Sequence, residues 1–165
     1  MSLPKLILAP VDFSEHSHEA VQVAVDYASR FGAEVLLMHA VPAIPKLPST
    51  SAFFHEGEYE NELLEDAGKR LADMAKQLAS KGVRARTDVG IANDVGMEIL
   101  RIAERDHADL IVIATHGITG WHKLLFGSVA EKVVRLATVP VLLLRAAPES
   151  RHEATTKASQ SVAAR

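Results

Sequence analysis

One stretch limits the possible folds more than any other: Ala108–Arg145, ADLIVIATHGITGWHKLLFGSVAEKVVRLATVPVLLLR. Its apolar run Ala108–Thr115 stops abruptly at His116-Gly117. Three glycines follow, Gly117, Gly120 and Gly127. Ser128 then opens a segment whose Val129, Ala130, Val133, Val134 and Ala137 share one face at helical spacing. Pro140 precedes a second apolar run, Val141–Leu144. The order is strand, glycine loop, helix, strand. A continuous apolar run, without alternation, marks a strand covered on both faces, as in a parallel sheet. Parallel neighbours need a crossover, and a helix supplies it. A helix N-terminus has free N–H groups and a favourable dipole for an anion, and glycines let the main chain come close to one. Phosphate is the natural guest. The plainer alternative is a helix that simply begins at Ser128, since serine is an ordinary N-cap.

The rest of the chain repeats this grammar. Leu6–Val11 is a short buried strand that ends at Asp12. Ser14 is a suitable N-cap and Glu15 suits a first turn. Ala20, Val21, Ala24, Ala28 and Phe31 predict the buried face of a helix that Gly32 stops. Glu34–Val41 is a second strand. Pro42–Gly57, with Pro42, Pro45 and Pro48, excludes helix and inner strand and reads as a long loop, either a lid or a plain connection. Phe53 and Phe54 are a candidate apolar plug within it. Glu58–Lys81 is helical, with Leu64, Ala67, Leu71, Met74 and Leu78 as its buried stripe. Val83–Val89 alternates apolar and polar residues, as an edge strand does. A turn over 90–94 follows, where Asn93 or Asp94 caps a helix buried at Val95, Ile99, Leu100 and Ala103. Five strands and four helices in alternation predict an α/β fold with an open parallel sheet covered on both faces. Residues 1–147 are expected to form one domain. The tail 148–165 has one large aliphatic residue, Val162, and is expected to be disordered.

Bulk properties remove several function classes. The chain has 165 residues, 48% of them apolar, which suffices for one core. A net charge of −3 offers no basic surface for nucleic acid. No run approaches the ~18 apolar residues of a membrane span, so a soluble, cytoplasmic protein without a membrane partner is expected. There is no cysteine, which excludes disulfides and thiolate metal sites. His16 and His18 lie two apart on a helix and so do not share a face. No metal site is expected. Neither a P-loop nor a GxSxG elbow is present, and no residue is singled out as catalytic. His122 and Lys123 in the glycine loop are expected to face solvent, and Trp121 to anchor the loop by packing. His39 is expected to be a satisfied core or strand-end histidine.

Three motifs together resemble one family. Ala114-x2-Gly117-x9-Gly127-Ser128, Pro10-Val11-Asp12-Phe13-Ser14 and Leu36-Leu37-Met38-His39-Ala40 are similar to landmarks of the universal stress proteins. The family's nucleotide loop reads G-x2-G-x9-G-[S/T]; here alanine stands in the first glycine's place. The similarity runs from about Lys5 to Arg145. It implies a three-layer fold, adenine nucleotide alpha-hydrolase-like, with sheet order 3-2-1-4-5. Strands 1 and 4 are then neighbours whose connections leave in opposite directions, a switch point where ligands bind. The resemblance further implies an adenine nucleotide, ATP or AMP/ADP, with Mg²⁺ as a candidate bridge between its phosphates. Asp12 would bond the ribose, and Ala40 would give backbone contacts to adenine. Val11 with Ile113 or Ala114 would wall the base. Gly127, Ser128 and Val129 would receive phosphates, and Pro10, Ser14, Thr115, His116 and Gly117 complete the predicted site. An extended backbone is expected at Ala114, because a β-carbon resists positive φ. Homodimerisation through Val139–Arg145 is implied as well. The resemblance points to a nucleotide-binding stress regulator; the alternatives are a nucleotide-free dimeric interaction module and a slow ATPase.

Overall fold

The computed structural model describes residues 3–43, 56–115 and 127–145. The glycine-loop residues His116, Gly117, Gly120, Trp121, His122 and Lys123, the loop with Phe53 and Phe54, and the tail 148–165 lie outside the described residues. In chain order the elements are β1 (Leu6–Pro10), α1 (Glu15–Phe31), β2 (Glu34–Pro42), α2 (Glu56–Ser80), β3 (Ala85–Ala92), α3 (Val95–Arg105), β4 (Leu110–Ala114), α4 (Ser128–Leu136) and β5 (Val141–Leu144). All sheet pairings are parallel, in the order β3-β2-β1-β4-β5. This is the expected α/β architecture and strand order.

Period-two alternation divides the apolar side chains between the two faces of the sheet. Ile7, Ala9, Val35, Leu37 and Val112 face α1 and α2, where Ala20, Ala24, Leu71 and Leu78 meet them. Leu8, Leu36, Met38, Ile111 and Ile113 face α3 and α4, against Ile99, Ile102, Ala130 and Val133. Burying both faces explains why the central strands read as unbroken apolar runs.

Several local expectations need correction. β2 continues through Pro42, which pairs with Ala92, and Ala43 N–H then donates to the Ala92 carbonyl at 2.9 Å. A proline at a strand end removes no ladder bond that the sheet requires. β3 likewise runs through Gly90–Ala92, where a turn was expected, because β2 supplies partners as far as Ala92. α2 begins at Glu56, two residues before the expected Glu58. Val134 is 49% exposed and Phe31 38% exposed, both off the buried stripes to which their spacing assigned them. α4 buries Ala130 and Val133, and Val134 sits one residue around the helix from that line. Phe31 instead packs edge-on against Tyr27, with ring centroids 5.8 Å apart. Leu64, Val95 and Leu100 are half-buried. β3 does occupy an edge, and it carries charge there. Arg86 reaches Glu34 at 3.3 Å and Asp106 at 3.2 Å, while Arg105 pairs with Asp88.

Candidate functional site

Chain direction brings the ends of β1, β2 and β4 and the starts of α1, α3 and α4 to one edge of the sheet. At the start of α1, Ser14 Oγ accepts from Ser17 N–H at 3.2 Å, so the helix is capped by its own serine. At the start of α3, Asp94 Oδ1 accepts from Met97 N–H at 3.1 Å. The other Asp94 oxygen pairs with Lys132 of α4. That lysine, with the Met97 and Gly96 N–H groups, holds the Asp94 carboxyl below its ordinary value. α4 differs. Its N-cap is Gly127, with φ −70° and ψ 153°, and among the described residues no side chain caps it. The first helical bond runs from Glu131 N–H to the Gly127 carbonyl at 2.9 Å. The N–H groups of Ser128, Val129 and Ala130 therefore have no partner within the helix.

Gly127 is held closely to the end of β4. Its N–H donates to the Thr115 carbonyl at 2.7 Å, and Thr115 N–H donates to Leu144 at 2.8 Å. A β-carbon at Gly127 would lie 3.1 Å from the Thr115 oxygen. Glycine is favoured here by close approach rather than by conformation, since its φ is negative. Ala114 is extended in β4, in register with Leu144, as the β-carbon argument requires.

On the other side of the switch point, Asp12 closes β1. Its Oδ1 accepts from Ser14 Oγ at 2.6 Å and from Ser14 N–H at 3.0 Å. Phe13, between them, has φ +63°. A left-handed conformation costs a residue with a β-carbon roughly 1–2 kcal/mol. Two contacts hold the ring: His39 with centroids 4.6 Å apart, and the Arg70 guanidinium carbon 3.7 Å above it. His39 Nδ1 is in turn 2.7 Å from the Val11 carbonyl, so this histidine is satisfied as expected, within β2 rather than at its end.

Between these two sides lies a cleft of about 390 Å³. Small-molecule pockets span roughly 300–1,000 Å³. Of the predicted site residues, Pro10, Val11, Asp12, Ala40, Ala114, Thr115, Gly127, Ser128 and Val129 line it. Ser14 does not, but it holds Asp12. His116 and Gly117 are outside the described residues. Sequence reasoning missed part of the wall: Met38, Pro42, Ser17, Val95 and Ile99 also line the cleft. By their helical spacing Val95 and Ile99 read as core alone. The signal was available, because a right-handed crossover from β3 puts the start of α3 at the same sheet edge as α4. The cleft thus has apolar walls at Ile99, Met38 and Ile113, a helix N-terminus at Gly127–Val129, and the Asp12 carboxylate in its lining. Such an arrangement suits a flat apolar group joined to an anion through a polyol.

His16 and His18 do not converge. His18 Nδ1 is 2.7 Å from the Ser14 carbonyl, and His16 lies 3.9 Å from Glu19. Among the described residues no cluster of three or more histidines and carboxylates is arranged to hold a metal. Among them also, no helix is long and apolar enough to cross a membrane.

Comparison with known proteins agrees with this fold. The profile of the universal stress protein family matches residues 4–145. Universal stress protein MJ0531 of Methanocaldococcus jannaschii is 37% identical over 149 residues, covering 87% of this chain and 84% of its own. The solved structure of MJ0577 from the same organism superposes with a TM-score of 0.77 at 26% identity, over 90% of this chain and 100% of that one. The universal stress protein from Archaeoglobus fulgidus in complex with dAMP has the same fold, with a TM-score of 0.58 at 21% identity, over 86% of this chain and 98% of that one.

Proposed function

This chain belongs to the universal stress protein family, and from that premise we propose that it binds an adenine nucleotide, ATP, ADP or AMP, in the cleft between β1 and β4. One observation carries the reading: a helix N-terminus with glycine at its N-cap, and no side-chain cap among the described residues, opens into an apolar-walled cleft beside a carboxylate. The same fold in Archaeoglobus fulgidus has been solved with dAMP, which supports an adenine nucleotide as the class of ligand. In this reading the base lies between Val11, Ile113 and Ala114, with Ala40 contributing main-chain contacts. Asp12 takes the ribose, and the N–H groups of Ser128 and Val129 take phosphate. His116 and Gly117 complete the phosphate loop. Asp12 is the one carboxylate lining the cleft among the described residues. Mg²⁺ would therefore be held chiefly by the phosphates and water, as is common for that ion.

The protein then acts as a cytoplasmic stress regulator that reports nucleotide occupancy, without efficient turnover. Phosphoryl transfer needs a group that positions an acceptor, and binding needs none. Calorimetric titration of the full chain with ATP, ADP, AMP and adenosine, with and without Mg²⁺, tests the reading. ATP should bind at least about tenfold, or ~1.4 kcal/mol, more tightly than adenosine. No heat at millimolar ATP would leave the nucleotide-free interaction module as the better account. Phosphate release on the ordinary enzymatic scale of about 1 per second or faster would make the protein an ATPase.

The functional unit in this reading is a homodimer paired through Val139–Arg145. β5 ends the sheet, and Val141–Leu144 are all only half-buried in the single chain. Leu136 on the adjacent α4 is 47% exposed. A short apolar edge of this kind associates unless it is covered. A second copy covers it symmetrically. Leu143→Pro removes a ladder donor and should convert dimer to monomer in sedimentation; a monomeric wild type at tens of micromolar, as a rough loading, would end this part of the proposal.

A further inference from the structure

We propose that Phe13, clamped between His39 and Arg70, is a positioning residue that fixes the Asp12 carboxylate toward the ribose hydroxyls. This rests on the ribose role given to Asp12 above. Phe13 and His107 are the two non-glycine residues with positive φ among those described, and Phe13 is the one beside the cleft. A bulky residue stays in that conformation only where its surroundings over-determine it. Here they do. The ring meets His39 on β2 at 4.6 Å and the Arg70 guanidinium on α2 at 3.7 Å. His39 is itself fastened to the Val11 carbonyl at 2.7 Å, one residue before Asp12. The backbone reversal at Phe13 lets Ser14 N–H and Oγ close on Asp12 Oδ1 at 3.0 and 2.6 Å. One carboxylate oxygen is thereby spent on holding the turn, and the side chain is oriented before any ligand arrives. Such preorganisation makes a hydroxyl-binding group selective, because its geometry is not re-paid on binding. Strain at the turn, a tilted ring contact with His39 and the Arg70 cation from α2 meet at this one residue.

The test is a ratio of affinities. ATP and 2′,3′-dideoxy-ATP are titrated into the full-length wild type, Asp12→Ala, Phe13→Ala, Phe13→Tyr and Arg70→Gln. Wild type should favour ATP by at least about tenfold, as expected for hydroxyls bonded to a charged carboxylate. Asp12→Ala should remove that preference. Phe13→Ala should reduce it to about twofold or less, with dideoxy-ATP affinity kept, and Phe13→Tyr should restore it. Arg70→Gln should give an intermediate ratio, and it decides the matter if Phe13→Ala does not fold. If wild type shows no preference, or Asp12→Ala keeps it, the ribose assignment is wrong and the proposal goes with it. If both behave as expected while Phe13→Ala and Arg70→Gln keep the full ratio, the clamp alone is refuted. A merely structural role for Phe13 would weaken both ligands equally and leave the ratio where it was.

Discussion

The starts of α1 and α3 and the start of α4 face the same sheet edge, yet they are finished differently. α1 and α3 supply their own acceptors, Ser14 for Ser17 N–H and Asp94 for Met97 N–H. α4 places Gly127 at the equivalent position, and no side chain among the described residues serves as acceptor there. Capping typically stabilises a helix by about 1 kcal/mol. α4 forgoes this at the point where the cleft needs donors. The contrast separates two uses of one physical feature. A helix that only has to be stable satisfies its first N–H groups internally, whereas one that has to hold an anion leaves them for the ligand.

The largest effect should come from giving α4 the cap it lacks. Gly127→Asp would satisfy an N–H group, bring a negative charge to the phosphate end and place a β-carbon 3.1 Å from the Thr115 carbonyl. ATP affinity measured by calorimetry should fall at least about 100-fold, or ~2.7 kcal/mol. Gly127→Ala isolates the crowding, and its loss should stay within about tenfold. Equal losses in the two variants would mean that shape, rather than the open donors, governs binding at α4.

Removing a cap from a helix that has one should act on stability first. Ser14→Ala deletes the bond to Ser17 N–H and the 2.6 Å bond to Asp12. Stability should fall by about 1 kcal/mol. For a domain of this size that is roughly 2–4 °C in Tm. ATP should also bind less tightly, because Asp12 loses the hydroxyl that orients it. An unchanged melting point would show that the cap at α1 contributes nothing.

The smallest effect concerns α3 and pH. Lys132 and the Met97 N–H hold the Asp94 carboxyl below its ordinary value of 3.8. A carboxyl depressed in the folded state stabilises the fold fully above that ordinary value. The contribution is lost as pH falls through the folded-state value. Asp94→Asn keeps an acceptor for the helix and removes the charge. Its acid unfolding curve should therefore be slightly flatter than wild type below about pH 4. ATP affinity at neutral pH should be unchanged. A variant that binds ATP more tightly would show that Asp94 repels the phosphates and belongs to the site.

The fold was legible because burial on both sheet faces writes itself as apolar runs such as Leu6–Val11 and Ala108–Thr115. Helix ends were legible where a residue does something only it can do. Gly32 has φ +68°, and Asp94 bonds Met97 N–H. What failed was whatever depended on a neighbour in space. Pro42 and Gly90 look like breakers, yet each remains in its strand because β2 and β3 pair residue by residue to the end. Val134 sits at helical spacing but off the narrow face that a nine-residue helix buries. In the site, motif spacing marked two sides of the cleft, at Asp12 and Gly127. It could not show the apolar wall contributed by Val95 and Ile99, which looks like ordinary core until α3 is set against α4. Nor does any local pattern announce that Phe13 adopts a left-handed backbone.

Asp109 carries a last consequence, for the order of events in folding. Its carboxylate accepts the N–H groups of Lys5 at 2.7 Å and Leu6 at 3.0 Å, and its own N–H reaches back to the Leu6 carbonyl. These bonds register β1 against β4 across a separation of more than 100 residues. Joining such distant segments carries a large loop-closure entropy, and chains that depend on non-local pairing fold slowly. The first β-α-β unit can assemble without it; the cleft cannot, because Asp12 and Gly127 meet only once that span has closed. Saturating ATP should therefore slow unfolding in proportion to its mass-action stabilisation and leave the refolding rate unchanged.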